Sequence, residues 1–246
     1  MEKQKQIEET LCACIGCDTE GNPVMLDIRK SPHVLIAGAM GSGKSICIHT
    51  IINSVLRFTP NEVRLLLVDT KMVEFSVYKN LPHLYVPIVK DAENAVKIIK
   101  ELCGIVEERR KEMEENGYSD FSQTNYSQIL LIIDEFAGLM CMCKDEIEPL
   151  LITIAQLGGA VGIHLILATQ CPTSDVVTDS IKANMPCRIA LRTSSISDSM
   201  TILGCKGAEQ LKGCGDAILK RSNKAKETRL QISYINHDNM NAIVDI

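Results

Sequence analysis

Aromatic residues are scarce in this chain. The sequence has no tryptophan, and aromatic residues make up only 4% of its 246 residues. Proteins that bind single-stranded nucleic acid without sequence preference stack successive bases on aromatic side chains. A stacking surface of that kind is therefore not expected here.

Long apolar runs and a hydrophobic leader are missing as well. No apolar run approaches the ~20 residues that a helix needs to cross a bilayer. The first ten residues, MEKQKQIEET, are too polar for a secretory signal peptide. We therefore expect no membrane segment in this chain and a cytoplasmic location. The eleven cysteines are then expected to be reduced and to serve as small apolar side chains.

The remaining composition is globular, with an uneven distribution of charge. Hydrophobic residues account for 46% and charged residues for 23%, which excludes a disordered or fibrous chain. The net charge is −5, yet residues 179–230 hold ten Lys/Arg against five Asp/Glu. This basic segment permits a local phosphate-binding surface, and a solvated face of mixed charge explains it equally well.

Short apolar runs alternate with amphipathic stretches along the chain. Buried strands are predicted at 34–37, 63–68, 129–133 and 163–168, and helices at 44–56, 91–115 and 146–157. This alternation predicts an α/β fold with a mostly parallel, twisted sheet and its functional residues at the carboxyl ends of the strands. We expect a lead-in segment at 1–30, followed by one domain over 31–246.

The first of these strand ends carries a phosphate-binding motif. Residues 38–45, GAMGSGKS, match the Walker A pattern G-x-x-x-x-G-K-[ST] between a strand and a helix. Glycines there let backbone N–H groups converge on a phosphate, Lys44 neutralises phosphate charge, and the Ser45 hydroxyl ligates Mg²⁺. The alternative is a glycine-rich turn that only permits tight packing. The predicted nucleotide-binding residues are Gly38, Gly41, Ser42, Gly43, Lys44 and Ser45.

A second strand end carries two acids. Residues 129–135 read ILLIIDE, the pattern of a Walker B motif. Asp134 is predicted to hold the Mg²⁺ shell, and Glu135 to act as the general base that polarises the attacking water. The second acid favours hydrolysis of a nucleoside triphosphate over phosphoryl transfer to a small molecule. The alternative is an acidic helix start, since carboxylates favour helix N-termini.

The third strand end and a cysteine cluster complete the candidate sites. The strand at 163–168 leads to Gln170, a polar residue placed to sense the γ-phosphate and relay its loss.

Cys12, Cys14 and Cys17 have spacings found in zinc or iron–sulfur sites. A fourth ligand and a second spaced pair are not evident, so small residues in a turn are the preferred interpretation.

Six segments of the sequence form a recognisable set: PHVLIAGAMGSGKS (32–45), EVRLLLVDTKMVEFSVYKNLPHL (62–84), ILLIIDEFAGLM (129–140), GIHLILATQCP (162–172), IKANMPCRIALRTSSISDSMTIL (181–203) and GAEQLKGCGDAIL (207–219). Together they resemble the FtsK/SpoIIIE family of DNA translocase motors. The resemblance covers roughly residues 15–235. No other phosphate-loop family known to us has this set in this order.

The resemblance implies a RecA-like ATPase that uses ATP and Mg²⁺. Members of this family assemble as hexameric rings around double-stranded DNA, and ATP hydrolysis between subunits drives the DNA through the channel. A motor that contacts only the DNA backbone is expected to show no sequence preference. Arg188 matches an arginine finger that acts on the neighbouring subunit, and Gln170 matches the sensor glutamine. The loops between 171 and 215 would face the DNA channel.

The sequence also departs from the family pattern. Thr70 replaces a proline, and Gly159, Cys171 and Met200 stand where the family usually has arginine. The arginine that corresponds to Met200 is a DNA contact in the family, so we expect a weakened grip on DNA phosphates. The nearby cations Arg192, Lys206 and Lys212 are candidate replacements.

Two other functions remain open at this point. A secretion or conjugative-transfer motor would share the same core, and a nucleotide-binding scaffold would form the ring but hydrolyse ATP weakly. The family's N-terminal membrane segments and its C-terminal winged-helix module are not recognised in the sequence. We therefore do not expect this chain to direct movement by sequence.

Overall fold

Nine strands form a single mixed sheet in the computed structural model, which describes residues 11–221 and 227–235. Their order across the sheet is β2-β1-β9-β8-β7-β3-β6-β5-β4. The strands are β1 (Cys12–Asp18), β2 (Pro23–Asp27), β3 (His33–Ala37), β4 (Val63–Asp69), β5 (Gln128–Asp134), β6 (Ile163–Thr169), β7 (Cys187–Leu191), β8 (Asp216–Lys220) and β9 (Thr228–Ile232).

The sheet has a parallel half and an antiparallel half. Strands β7, β3, β6, β5 and β4 run parallel, so their carboxyl ends meet at one edge. The remaining strands, β8, β9, β1 and β2, continue the sheet in antiparallel pairs. The short connection between β8 and β9 allows only an antiparallel pair, because a parallel one needs a crossover of a dozen or more residues. The sheet was predicted to be mostly parallel, and half of its pairings are antiparallel.

Helices cover both faces of the sheet. They are α1 (Lys44–Val55), α2 (Ala92–Glu115), α3 (Phe136–Leu157), α4 (Asp179–Asn184) and α5 (Ile196–Leu203). The buried side chains of α1 share one core with one face of the sheet, and those of α2, α3 and α5 share the core on the other face. Strand interiors are apolar on both sides because both faces are covered. The predicted α/β class is confirmed.

Helix boundaries follow local signals in one case and tertiary packing in another. The side chain of Asp91 accepts a hydrogen bond from the backbone N–H of Asn94 at 2.8 Å, which confirms it as the N-cap of α2. Helix α3 begins ten residues before the predicted start at 146. It contains Pro149 and a non-helical Cys143, and its first part is held by the buried Phe136 and Leu139.

The first strands belong to the same sheet as the rest of the chain. β1 pairs with β9, and the neighbouring side chains of Leu11, Ile15 and Leu26 are buried in the α1 core. The predicted boundary between a lead-in of residues 1–30 and a domain from residue 31 therefore runs between two strands of one sheet. No helix among the described residues combines the length and the apolar character needed to cross a bilayer.

Candidate nucleotide and DNA site

The loop between β3 and α1 is shaped by its glycines. Gly41 and Gly43 have φ values of 74° and 102°, in the left-handed region that favours glycine. A Cβ added to Gly43 would lie 2.6 Å from the backbone nitrogen of Gly215, and one added to Gly38 would lie 2.6 Å from Oγ of Ser42. The loop thus packs tightly and leads directly into the N-terminus of α1, and the N-terminus of a helix is a favourable place for an anion.

Lys44 and Asp134 form an ion pair at the carboxyl edge of the sheet. Both residues are buried, with 4% and 6% of their surface exposed. Burial raises the pKa of the Asp134 carboxyl, and the charge and hydrogen bond of Lys44 oppose that shift. The structure therefore brings together the predicted phosphate-binding cation and the predicted Mg²⁺ ligand.

Glu135 connects the ends of three strands. It has a left-handed backbone, with φ at 59°, in the position before α3. Its carboxylate accepts hydrogen bonds from the Thr169 hydroxyl at 2.7 Å and from the backbone N–H of Gln170 at 3.2 Å. The Lys71 ammonium group lies 3.1 Å from the same carboxylate. The predicted base is thus linked to the predicted sensor through the main chain of Gln170.

A cavity of about 360 Å³ opens over the phosphate loop. Lys44, Ser45 and Gln170 line its polar side. Ile46, Ile232 and Tyr234 line it as well, and the Tyr234 side chain is exposed. The cavity joins phosphate-binding groups to an apolar, aromatic wall, the combination that a nucleotide requires.

The oxygen groups at this edge fit Mg²⁺. The Ser45 hydroxyl and the Asp134 carboxylate are hard oxygen donors, the class that Mg²⁺ prefers, and the Glu74 carboxylate lies beside Ser45. Magnesium in such sites takes one or two protein ligands and fills its remaining positions with waters and substrate phosphates. The donor set beside the phosphate loop therefore matches a magnesium–nucleotide complex.

Several residues at this edge were missed by the sequence analysis. Asp69 ends β4 in register with Asp134, and its Oδ2 accepts the backbone N–H groups of Glu74 and Phe75. Lys71, quoted only as part of a family motif, is paired with Glu135. The signal for Asp69 was present, because it too is an acid directly after a buried strand.

Arg188 lies away from the phosphate loop. Its guanidinium donates hydrogen bonds to the backbone carbonyls of Lys182 at 2.6 Å, Met185 at 2.9 Å and Ile202 at 3.0 Å. These bonds fasten β7 to the segment that contains α4 and to α5. The predicted role of Arg188 toward a neighbouring subunit stays a prediction.

The three cations predicted to contact DNA share one property. The side chains of Arg192, Lys206 and Lys212 are exposed, and among the described residues none forms an ion pair with them. Other cations of the basic segment are engaged: Lys182 with Asp179, and Arg229 with Asp216. Arg192 also borders the phosphate loop, since its carbonyl accepts the N–H of Ala39 at 2.8 Å.

The positions of the missing arginines differ from one another. Met200 is exposed on α5, and Cys171 is exposed directly after Gln170. Gly159 lies at the opposite edge of the sheet, where an added Cβ would be 2.9 Å from Pro32. The replacement at Gly159 therefore has no bearing on the carboxyl edge.

The cysteine cluster lies in β1. Cys12 is buried, whereas Cys14 and Cys17 are exposed. Within the described parts of the chain, no group of three or more His, Cys, Asp or Glu side chains is arranged to hold a metal ion by itself. Cys12 belongs instead to a strand whose buried neighbours, Ala13 and Ile15, are part of the α1 core.

Comparisons with known sequences agree with this geometry. The profile of the FtsK/SpoIIIE family matches residues 1–128. DNA translocase FtsK of Clostridium acetobutylicum is 41% identical over 249 residues, covering 96% of this chain and 32% of the relative. DNA translocase SftA of Bacillus subtilis is 41% identical over 246 residues, covering 95% of this chain and 26% of the relative. The chain thus spans about a third or less of these curated relatives.

Solved structures share the fold. The pCW3 conjugation coupling protein TcpA, determined with ATPγS, superposes with a TM-score of 0.85 at 28% identity, over 97% of this chain and 71% of TcpA. The cytoplasmic domain of the Thermomonospora curvata type VII secretion ATPase EccC gives a TM-score of 0.83 at 25% identity, over 96% of this chain and 31% of EccC. The likeness extends over almost the whole chain.

Proposed function

Because the chain belongs to the FtsK/SpoIIIE family, we propose that it is the ATP-hydrolysing motor part of a DNA translocase. The observation that carries this proposal is the arrangement of Lys44, Asp134 and Glu135 around the phosphate loop. Lys44 is the first residue of α1, Asp134 is the last residue of β5 and Glu135 follows it, and all three lie at the carboxyl edge of the parallel strands. That arrangement supports hydrolysis of a nucleoside triphosphate.

Each residue has a distinct part in the proposed reaction. Lys44 neutralises charge on the β- and γ-phosphates, and Glu135 takes the proton of the attacking water. Ser45 and Asp134 would hold Mg²⁺, which supplies charge neutralisation on the phosphate oxygens. Gln170 is the proposed sensor of the γ-phosphate, and the hydrogen bond from its backbone N–H to the Glu135 carboxylate would couple the sensor to the base. The exposed ring of Tyr234 stacks on the base.

The proposed cargo is double-stranded DNA, bound through its phosphates and therefore without sequence preference. The support is the set of exposed, unpaired cations Arg192, Lys206 and Lys212, described above. In this proposal the motor assembles as a hexameric ring in the cytoplasm, and the loops from 171 to 215 face its channel.

A second candidate is a secretion or conjugative-transfer motor. The specific observation in its favour is the structural likeness to TcpA, described as a conjugation coupling protein, and to the secretion ATPase EccC. The chemistry at the phosphate loop would be the same, and only the cargo would differ. A third candidate is a scaffold that binds nucleotide and hydrolyses it weakly, since Cys171 and Met200 replace arginines.

Stimulation of ATPase activity separates the candidates. The rate of ATP hydrolysis is measured for the protein alone and after addition of duplex DNA, single-stranded DNA or a candidate secretion peptide. Lys44→Ala is the inactive control. A DNA translocase is stimulated most by duplex DNA of any sequence. Stimulation only by single strands favours conjugative transfer, stimulation only by peptide favours secretion, and no hydrolysis above the control favours the scaffold.

A further inference from the structure

A carboxylate outside the predicted site lies beside the phosphate loop. Oε1 of Glu74, in the segment after β4, is 3.2 Å from Nε2 of His49 in α1. His49 follows Ser45 by four residues, so the two side chains share one face of the helix. The His49 hydrogen bond, together with the nearby Ser45 hydroxyl and the Lys44 charge, lowers the pKa of Glu74 more than burial raises it.

Both the backbone and the side chain of Glu74 are held in place. The backbone N–H of Glu74 donates to Oδ2 of Asp69 at 2.9 Å. The hydroxyl of the buried Tyr78 lies 2.7 Å from Nδ1 of His49. When that hydroxyl donates to Nδ1, the ring proton is on Nε2 and points at Glu74. The carboxylate is therefore oriented by a two-residue relay from the protein interior.

The side chains at this edge carry an excess of negative charge. Asp69 is the most buried of the acids, with 2% of its surface exposed, and its Oδ1 has no hydrogen-bond partner among the described residues. These carboxylates weaken the binding of a triphosphate that carries no metal ion, and they attract a divalent cation. The carboxylates are Asp69, Glu74, Asp134 and Glu135, and the ammonium groups are Lys44 and Lys71.

We propose that Glu74 is a positioning residue of the magnesium site, held by His49 and Tyr78. It accepts a hydrogen bond from the Ser45 hydroxyl, which would leave the lone pairs of the Ser45 oxygen available to a bound Mg²⁺. This role rests on the proposed ATP function of the same site. Partners of this kind orient metal ligands, and their loss typically lowers metal affinity ~10–100-fold.

The test measures magnesium dependence without measuring catalysis. A fluorescent ATP analogue is bound to the full chain at fixed concentration while Mg²⁺ is titrated, and binding in EDTA is measured separately. In Glu74→Gln the Mg²⁺ concentration for half-maximal binding rises ~10–100-fold. Affinity for the metal-free nucleotide stays equal to that of the parent or increases, because a repelling charge is removed. Tyr78→Phe shifts the midpoint in the same direction by a smaller factor.

The matched control is Glu146→Gln, the same substitution at an exposed position of α3. Its magnesium midpoint equals that of the parent. A parent-like midpoint in Glu74→Gln overturns the proposal, and so does an equal loss of affinity with and without Mg²⁺, which marks a structural role. An unchanged midpoint in Tyr78→Phe overturns the relay. If the parent chain binds no nucleotide at all, the proposed function itself fails, which is a different result.

Discussion

Lys44 and Asp134 are ninety positions apart in the chain and form a buried ion pair beneath the phosphate loop. Removal of one partner leaves the other as an uncompensated buried charge, which typically costs ~3–5 kcal/mol. Removal of the Lys44 side chain is therefore expected to destabilise the fold, in addition to affecting the phosphate binding proposed for it.

Lys44→Ala is expected to lose nucleotide affinity and to lower the free energy of unfolding. Addition of Asp134→Asn removes the unpaired carboxylate, so the double variant regains part of the stability while nucleotide binding stays lost. Urea denaturation and binding of a fluorescent ATP analogue measure the two effects. A double variant no more stable than Lys44→Ala would contradict the proposed electrostatic cost.

Glu135→Gln is expected to bind ATP and to hydrolyse it ~10²–10⁴-fold more slowly, because it lacks a general base. The amide retains an acceptor for the Thr169 hydroxyl and the lost ion pair is to a half-exposed Lys71, so the variant is expected to stay folded. Single-turnover hydrolysis and thermal unfolding provide the measurements. Equal hydrolysis rates in the variant and the parent would remove Glu135 from the base role.

Arg188→Ala is expected to lower the unfolding temperature, because three backbone carbonyls lose their donor. Arginine has five N–H donors, so a guanidinium held by these carbonyls still has donors for a phosphate of a neighbouring subunit. An arginine finger of this kind is worth ~10³–10⁵ in rate.

Mixing tests whether Arg188 acts between subunits. Arg188→Ala and Lys44→Ala are each expected to be nearly inactive, and a mixture should regain activity at interfaces that pair an intact loop with an intact Arg188. Light scattering and circular dichroism verify that mixed, folded rings form. If the mixed rings are as inactive as each single variant, only the structural role of Arg188 is left. Full activity of Arg188→Ala alone would contradict the arginine-finger assignment.

Met200→Arg is expected to strengthen duplex binding and to steepen its dependence on salt, since one more phosphate is neutralised. Met200 is exposed on α5, within the basic segment of the chain. Tyr118→Arg, which adds the same charge at an exposed position just beyond α2, is the control and leaves duplex binding unchanged. Duplex affinity over a salt series is the measurement. Identical slopes for Met200→Arg and the parent would place residue 200 outside the DNA path.

Asp216 should make stability sensitive to acid. A hydrogen bond from Arg229 is the main cause that lowers the pKa of Asp216, so the folded carboxyl ionises more readily than the unfolded one. Its contribution is present above the ordinary Asp pKa of ~3.9 and is lost as pH falls through the lower folded value. Asp216→Asn should unfold at a lower temperature than the parent at pH 7, and the difference should shrink in acid. A difference independent of pH would contradict this assignment.

Short stretches of sequence were enough to predict the phosphate loop, the two acids at the end of β5 and the N-cap of α2. Each of these signals is local: glycines that permit positive φ, a buried strand followed by carboxylates, and a side chain that bonds an N–H three residues on. The carboxyl ends of parallel strands meet at one edge in any such sheet, so the meeting of Lys44 and Asp134 also followed from the pattern.

Tertiary structure alone decided which other residues join them. Glu74, His49 and Tyr78 come from a connecting segment and a helix, and no periodicity links their positions, because loop paths depend on packing and not on spacing. Arg188 and Arg192 are four residues apart, yet one is bonded to three carbonyls and the other is exposed beside the phosphate loop. Their difference arises because β7 ends between them: within the strand a guanidinium meets neighbouring backbone, and beyond its end it meets water.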